Sequence, residues 1–320
     1  MEERDITSVE LEEQRVLLQV SGEDRASFLH GMLSNDVSGL SPGSGAAALL
    51  LTEQGRIVAE MNLLVLDDEI CLDLTRAACD RLVPALERFI VADDVEFEER
   101  PGAAVGLRGG GGAAILEGCM GGAAQGVGEL APGGHTAGAV AGTNPWIARV
   151  DDLGGPAYRV WCPNLDAARA LMEKFEAAGA EPLSPQAREV LRITAGVARA
   201  EIDFDEKTLA PEVPSLAHAI SNRKGCYLGQ EVVERVASRG KVKWLVASVQ
   251  VEGACAPGTE LEVEGKAVGH LTSVSPEPHN GKFAAIARVR REIFDAGQPM
   301  LVKAPQGDGE ALPDPKPARG

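Results

Sequence analysis

The residues most able to do chemistry lie in one stretch, Lys224–Gly240, which reads KGCYLGQEVVERVASRG. It brings a thiol, Cys226, together with a phenol and several basic side chains. The apolar spacing predicts an amphipathic helix that begins at Gln230 and stops at Gly240. Cys226 then precedes a helix N-terminus, where unpaired N–H groups and the helix dipole favour a thiolate. A buried cysteine in a turn is the alternative that this window leaves open.

The charge of the chain is strongly acidic, but its distribution is uneven. The chain has 31 basic and 48 acidic residues and a formal net charge of −17. This balance argues against general nucleic-acid binding, because a phosphate backbone is repelled. Between Arg223 and Lys243, however, six basic residues stand against two acidic ones. This basic window is either an anion-binding patch or a solvated helix face.

Several kinds of site have no support in the sequence. The six cysteines form no CxxC pair, and the five histidines are scattered and form no HExxH motif. We therefore expect reduced thiols, no metal site and no permanent iron–sulfur cluster held by this chain alone. No apolar run reaches the eighteen or so residues of a membrane span, so we expect a cytoplasmic protein without membrane contact.

The elements that must position these residues follow an irregular order of strands and helices. Strands are predicted at 15–20, 46–51, 56–66, 70–74 and near 95–97, and helices after Asp24, over 76–91, over 166–178 with Asn164 as the cap, and from Pro185 to Gly196. Further strands are predicted at 145–150 and 157–162. Strands, helix and strand without βαβ alternation predict an α+β fold with mostly antiparallel sheets.

Composition also indicates the domain organisation. Residues 101–142 are rich in glycine and predict a loop-rich joint with short strands, and the GxGxxA pattern at Gly126 lacks the strand and helix of a dinucleotide site. Short apolar strands after residue 240 predict a small β-barrel. We therefore expect two α+β units within 1–240, a barrel over 241–305 and a disordered tail over 306–320.

One further candidate ligand lies in the SNDV turn that follows the first helix. Asn35 and Asp36 are turn formers, and Asn35 is also a candidate for ligand binding.

The segment KGCYLGQEVVERVASRGKVK resembles the YgfZ family of folate-binding proteins, which are relatives of the glycine-cleavage aminomethyltransferase. The residues that fit the family signature are Lys224, Gly225, Cys226, Tyr227, Gly229, Gln230, Glu231, Arg235, Arg239 and Gly240. FLHGMLSNDV, LLTEQGRIVAEMNLL and LRITAGVARAEIDF resemble its other landmarks in the same order.

The resemblance implies two related antiparallel-sheet-plus-helix units forming a folate-binding fold, followed by a barrel and packed around a central cavity. It implies Cys226 as the functional cysteine and tetrahydrofolate as the cofactor. The predicted folate-binding residues are Asn35, Arg192, Glu212, Tyr227, Gln230, Glu231, Arg235 and Arg239. It also implies support of iron–sulfur proteins and an indirect effect on tRNA modification.

Two positions depart from the aminomethyltransferase pattern. That enzyme depends on an aspartate in an acidic pair, whereas the matching place here reads Arg56 to Glu60 as RIVAE. Thr194 stands where the related enzyme has a glutamate. Loss of a positioned carboxylate removes the obvious group for moving protons at a folate nitrogen. We therefore expect no glycine-cleavage activity.

Three hypotheses follow. The first is a monomeric, folate-binding accessory protein whose Cys226 thiolate acts toward iron–sulfur proteins or their assembly factors. The second is a folate-dependent one-carbon transferase with a non-glycine substrate, using Glu60 or Glu212 as acid and base. The third is an RNA-modification partner that binds tRNA through the basic window, against which the net charge counts.

Overall fold

The structure, a computed structural model, describes residues 6–137, 146–150, 152–239, 242–253, 255–278, 281–303 and 307–314. The chain divides into two compact units. Unit 1 comprises Met1–Leu51, Val58–Ser184 and Ala219–Leu228, and unit 2 comprises Thr52–Ile57, Pro185–His218 and Gly229–Gly320. No helix among the described residues is long and apolar enough to cross a membrane.

Unit 1 contains two sheets, each with two helices. The elements of the first are β2 (Arg15–Ser21), α1 (Arg25–Met32), β3 (Gly45–Leu51), β4 (Ile57–Val65), β5 (Ile70–Thr75), α2 (Arg76–Glu87) and β6 (Glu96–Arg100). Its five strands lie in the order β3-β4-β5-β2-β6. The Thr75 side chain caps α2 by accepting a bond from the Ala78 N–H, and Pro84 lies inside this helix.

The elements of the second sheet are β1 (Ser8–Glu12), β7 (Ala103–Arg108), α3 (Gly112–Met120), β8 (His135–Ala137), β9 (Trp146–Arg149), β10 (Ala157–Cys162), α4 (Leu165–Ala177) and β11 (Glu181–Pro182). Its six strands lie in the order β11-β1-β7-β10-β9-β8. The predicted cap of α4 is confirmed, since the Asn164 side chain accepts a bond from the Ala167 N–H at 2.8 Å.

The helix α3 differs from the prediction of loops and short strands for the glycine-rich stretch. It begins at Gly112, where the glycine run ends, and Leu116 and Met120 are buried in the core of the second sheet. Apolar burial therefore outweighs the low helix propensity of the neighbouring glycines, because packing contributes more to helix stability than propensity does.

Strand alternation gives unit 1 its layers. Val16 and Leu18 of β2 pack with α1 and α2, whereas Leu17 between them belongs to a cluster shared with Ala104 of β7 and Trp161 of β10. Because successive side chains of a strand point to opposite faces, the inner faces of the two sheets meet and the helices cover the outer faces. We call the side chains between the sheets the inter-sheet layer.

The inter-sheet layer holds a buried ionic network centred on Arg159 of β10. Its guanidinium donates to Glu12 of β1 at 2.5 Å, to Asp73 of β5 and to Asp152 at 3.0 Å. Arg108 also contacts Glu12 and Asp152. Burial alone raises the pKa of Glu12, but the charges of Arg159 and Arg108 outweigh it and hold that pKa well below its usual range.

Unit 2 is built around a closed barrel. Its elements are α5 (Pro185–Thr194), α6 (Gln230–Arg239), β12 (Trp244–Glu252), β13 (Glu260–Val263), β14 (Lys266–Val274), β15 (Lys282–Arg290), α7 (Arg291–Asp295), β16 (Met300–Val302) and β17 (Gly309–Pro313). The barrel order is β12-β15-β14-β13-β16-β17. Short helical turns at Ala210–Glu212 and Pro214–Ala219 precede it in the chain.

The turn that contains Gly55 packs within unit 2. Gly55 has a φ of +75°, and a Cβ placed there would lie 3.0 Å from Val232 of α6. Both the positive φ and the close approach require glycine.

The predicted α+β class with a C-terminal barrel is confirmed, whereas the predicted disorder of the tail is wrong for residues 309–313. These residues form β17, which pairs with β12 and β16, and Ala311 is fully buried. Ladder hydrogen bonds hold this strand, and a polar sequence does not reveal them. The domain boundary near residue 240 stays a prediction.

Replacing Arg159 with Met should destabilise the protein, because Glu12 and Asp73 would remain as buried carboxylates without their shared cation. Removing one partner of a buried ion pair costs roughly 3–5 kcal/mol, and we expect urea denaturation at pH 7 to show a loss of that size in the free energy of unfolding.

Arg169→Met, at an exposed position of α4, is the control and should change the free energy of unfolding by less than ~0.5 kcal/mol. A loss of under about 1 kcal/mol for Arg159→Met, the range of exposed salt bridges, would contradict the role of the network.

Candidate functional site

Cys226 lies on a short stretch of unit 1, residues 219–228, which we call the cysteine segment. Ser34, directly after α1 and its C-cap, fixes one end of it. The Ser34 hydroxyl donates to the Ala219 carbonyl at 2.6 Å, and the Ser221 N–H donates to the Ser34 carbonyl at 3.0 Å. At the other end, the Leu228 N–H donates to the Gly31 carbonyl at 3.2 Å. Both ends are therefore bound to α1 and the turn that follows it.

Lys224 anchors the middle of the cysteine segment. Its ammonium donates to the carbonyls of His30, Leu33 and Asn35, at 2.6 Å for Leu33 and 3.0 Å for Asn35. These carbonyls lie at the C-terminal end of α1, where a cation is favourable. Burial lowers the pKa of Lys224 to about 8, and the charge of Asp36 opposes this shift. The amine therefore remains mostly protonated at pH 7 and keeps its three donors.

The anchored segment presents Cys226 to solvent. Its thiol is free and exposed, whereas the next residue, Tyr227, is buried. The Lys224 ammonium lies 5.1 Å from the centre of the Tyr227 ring, within the range of a cation–π contact. The predicted helix is confirmed as α6, which begins at Gln230, four residues after Cys226. Of the two alternatives, the buried cysteine is therefore wrong.

Asn35, the other predicted ligand in unit 1, has contacts that organise the turn after α1. Its amide donates to the Ala47 carbonyl at 2.8 Å, and its side-chain oxygen accepts from the Asp36 N–H at 2.9 Å. The sequence predicts local turn bonds for Ser34, but it does not predict the bonds of Ser34 to the cysteine segment. Its place in the polar SNDV turn is the only signal in the sequence.

In unit 2, Glu212 is the predicted ligand with the most unusual environment. It is only 8% exposed. Its carboxylate has long contacts, at 3.4 Å to the Leu209 N–H and 3.8 Å to the Arg288 guanidinium. Burial raises the pKa of Glu212, and the charge of Arg288 opposes this shift. The result is a nearly buried carboxyl group with acceptor capacity to spare.

An aromatic and basic surface, which was not among the sites predicted from the sequence, lies beside Glu212 and consists of Trp244, Arg288 and Arg290. The guanidinium carbons of Arg290 and Arg288 lie 4.5 and 5.8 Å from the centre of the Trp244 ring. Trp244 pairs directly with Arg290 across β12 and β15. In the sequence, Trp244 precedes the buried Leu245, and Arg288 and Arg290 flank the buried Val289, so strand alternation places them on the outer face. Alternation does not show, however, that the two strands are neighbours.

Arg192 has every N–H donor occupied within unit 2. Its guanidinium bonds Glu189, the Val197 carbonyl at 2.7 Å, Asp203 at 2.6 Å and the Ser273 hydroxyl at 2.8 Å. Asp203 in turn accepts a bond from Ser273 at 2.7 Å. Arg192 therefore joins α5 to residues 197–203 and to β14, which is a structural task.

The remaining predicted ligands lie on α6. The Gln230 amide donates to Glu234 at 2.6 Å, and Glu231 and Arg235 are exposed. Arg239 is the last residue of the helix, and residues 240 and 241 lie outside the described residues.

The predicted ligand set is thus divided between the two units. Asn35, Cys226 and Tyr227 belong to unit 1, while Arg192, Glu212 and the residues of α6 belong to unit 2. In the part of the chain that the structure describes, no group of three or more histidine, cysteine or acidic residues is placed to hold a metal ion.

Comparison with known proteins supports the fold. The chain is 25% identical over 291 residues to a transferase-like chloroplastic protein of Arabidopsis thaliana, a match that covers 89% of this chain and 66% of that protein. It is 26% identical over 300 residues to an aminomethyltransferase of Oceanobacillus iheyensis, covering 89% of this chain and 80% of the enzyme.

A solved structure has a similar fold. The glycine cleavage system aminomethyltransferase T of Bartonella henselae superposes with a TM-score of 0.84 at 19% identity, covering 98% of this chain and 86% of that chain. The model of the GCVT N-terminal domain matches residues 12–224. This match covers more than half of the chain. It takes in the first sheet of unit 1, the second sheet except for most of β1, and the cysteine segment up to Lys224, so the chain belongs to the GCVT N-terminal domain family.

Proposed function

We propose that this protein is a folate-binding accessory protein, as in the YgfZ family, that supports iron–sulfur proteins or their assembly factors through the thiol of Cys226. The observation that carries the proposal is an exposed cysteine on a segment bound to α1 at both ends and in its middle. A thiol held in this way can contact a cluster, a persulfide or a partner thiol. A single cysteine suits transient contact, because a permanent cluster usually takes four ligands.

The residues around Glu212 fit tetrahydrofolate. Its pterin ring is rich in N–H donors, which suit a nearly buried carboxylate with only long contacts. Its aromatic and glutamate parts suit the ring of Trp244 and the guanidinium groups of Arg288 and Arg290. When bound, tetrahydrofolate supplies a carrier for one-carbon groups. Arg235 of α6 adds positive charge for the glutamate tail.

The place of the missing carboxylate supports an accessory role over aminomethyl transfer. In β4, Ala59 is buried in the core and Glu60 is exposed on the other face of the strand. Thr194, which stands at the second departure, is the last residue of α5 and is exposed. Neither position supplies a buried carboxylate that can direct a proton to a folate nitrogen.

A folate-dependent one-carbon transferase with a non-glycine substrate is the second candidate. The raised pKa of Glu212 favours it, because a general acid or base works best when its pKa lies near the working pH. The similarity of this chain to an aminomethyltransferase, an enzyme that transfers a one-carbon group, also supports this candidate.

Replacing Cys226 with Ala should abolish the thiol function without unfolding the protein, because the side chain is exposed. In cells that lack the gene, we expect Cys226→Ala to restore an iron–sulfur enzyme no better than the empty vector. Cys119→Ala, at a half-buried cysteine of unit 1, is the matched control and should restore the activity in full. Full restoration by Cys226→Ala would remove the thiol from the proposal.

Replacing Glu212 with Gln should weaken tetrahydrofolate binding, measured by anaerobic calorimetric titration. Hydrogen bonds to a charged group contribute about 1.5–3 kcal/mol, so we expect a loss of roughly 10- to 100-fold in affinity. Glu206→Gln, at an exposed acid six residues before Glu212 in the chain, should bind like the wild type. Absence of binding to the wild-type protein would contradict both candidate functions.

Thermal unfolding of Glu212→Gln shows whether a loss of tetrahydrofolate affinity is caused by misfolding. Because the pKa of Glu212 is raised in the folded state, its favourable contribution is present below the unfolded pKa of about 4.3 and is lost as the pH rises through the folded pKa. Glu212→Gln stays neutral, so at pH 7 its thermal midpoint should equal or exceed that of the wild type.

An activity assay distinguishes the two candidates. The purified protein with tetrahydrofolate should transfer no aminomethyl group from the glycine-cleavage intermediate. If a screen of other one-carbon donors yields a product, and Glu212→Gln or Glu60→Gln abolishes it, the transferase becomes the better account.

A further inference from the structure

A cavity of about 230 Å³ opens at one margin of the inter-sheet layer of unit 1, and the proposed function does not use it. Arg15 and Leu17 of β2, Arg100 at the end of β6 and Trp161 of β10 contribute to its lining. None of its lining residues belongs to the cysteine segment. The cavity is smaller than the roughly 300–1,000 Å³ pockets of drug-sized ligands, so it suits a small molecule.

Two arginines of the lining, Arg15 and Arg100, use only some of their N–H donors in hydrogen bonds to other described residues. Arg15 uses its Nε and Nη2 atoms on Asp73, at 3.0 and 2.6 Å. Arg100 uses Nε on Gln19 at 3.1 Å and Nη2 on Glu69. Among the described residues, neither Nη1 group has a hydrogen-bond partner. The ion pairs fix both guanidinium planes and leave one amino group of each uncommitted.

A third donor in the lining is buried. Trp161 is 4% exposed, and its indole Nε1 has no hydrogen-bond partner among the described residues. A buried N–H group without a partner is costly, and such a group in a native structure points to a missing acceptor. The donors of the lining therefore exceed the acceptors that the protein supplies.

The rim of the cavity is formed by an exposed ion pair. Arg76, the first residue of α2, donates to both oxygens of Glu99, at 2.5 and 2.8 Å. Glu99 is the only carboxylate among the described residues of the lining, and both of its oxygen atoms accept bonds from Arg76. The N-terminus of α2 adds the positive end of a helix dipole.

We propose that this cavity binds a small oxyanion, a carboxylate or a phosphate, through the Nη1 groups of Arg15 and Arg100 and the indole N–H of Trp161. An oxyanion supplies acceptors only, which matches a lining whose uncommitted groups are donors. A guanidinium group fits carboxylate and phosphate oxygens well because it presents its donors in a planar fork. Carboxylates and phosphates both present oxygen acceptors of this kind, so either could occupy the cavity.

Calorimetric titration of the full-length protein with sodium phosphate, and separately with sodium succinate, tests the proposal. We expect saturable binding of one or both that weakens as the salt concentration rises. The anion that binds more tightly identifies the source. Absence of saturable binding of both anions at millimolar concentrations would overturn the proposal.

Three variants test the residues. Arg100→Gln should weaken binding by about tenfold or more, since it removes a charged donor. Trp161→Phe keeps an aromatic ring in place, removes the N–H and should weaken binding several-fold. Arg169→Gln, the same change at an exposed position of α4, should bind like the wild type.

Thermal unfolding shows whether Arg100→Gln is folded. If it is not, Trp161→Phe decides, and unchanged affinity in that variant would overturn the proposed site. An equal loss in Arg169→Gln would do the same, because it would show a general effect of charge. The outcome is independent of tetrahydrofolate binding at Glu212.

Discussion

The ion pairs of Arg159 are the interaction on which unit 1 depends. One guanidinium group on β10 contacts Glu12 of β1 in its own sheet and Asp73 of β5 in the other. Removing the charges of Arg159, Glu12 and Asp73 from water costs free energy, and their mutual attraction offsets this cost only when the two sheets bring them together. The network therefore requires one register between the sheets. Apolar residues alone would accept several registers, because apolar contacts are not directional.

The same layer explains why unit 1 retains space for a ligand at its margin. Arg15 shares Asp73 with Arg159, so the network continues from the centre of the layer to its edge. At that edge, the guanidinium and indole N–H donors of the described residues outnumber the carboxylate oxygen atoms that could accept from them. The Arg15 guanidinium is held there by the buried Asp73, and the Arg100 guanidinium is held by the partly buried Glu69.

A second use of charge fixes the cysteine segment. Lys224 satisfies three carbonyl groups near the end of α1, and in doing so it holds Cys226 two residues further along the chain. The thiol itself is exposed and contributes little to packing. The anchoring contacts and the exposed thiol therefore belong to two residues of one short segment. In unit 2, Glu212 combines burial with long contacts, the opposite of the saturated Arg192.

The sequence by itself determined the local elements and the motif that contains Cys226. The start of α6 and the Asn164 cap follow from apolar spacing and side-chain type within a few residues, and Cys226 follows from its motif. Only the tertiary structure decided which distant groups meet. Asp73 and Arg159 are 86 residues apart, and strand alternation predicts the face of each but not its partner. Partner choice depends on strand order and on burial, which no short window of sequence contains.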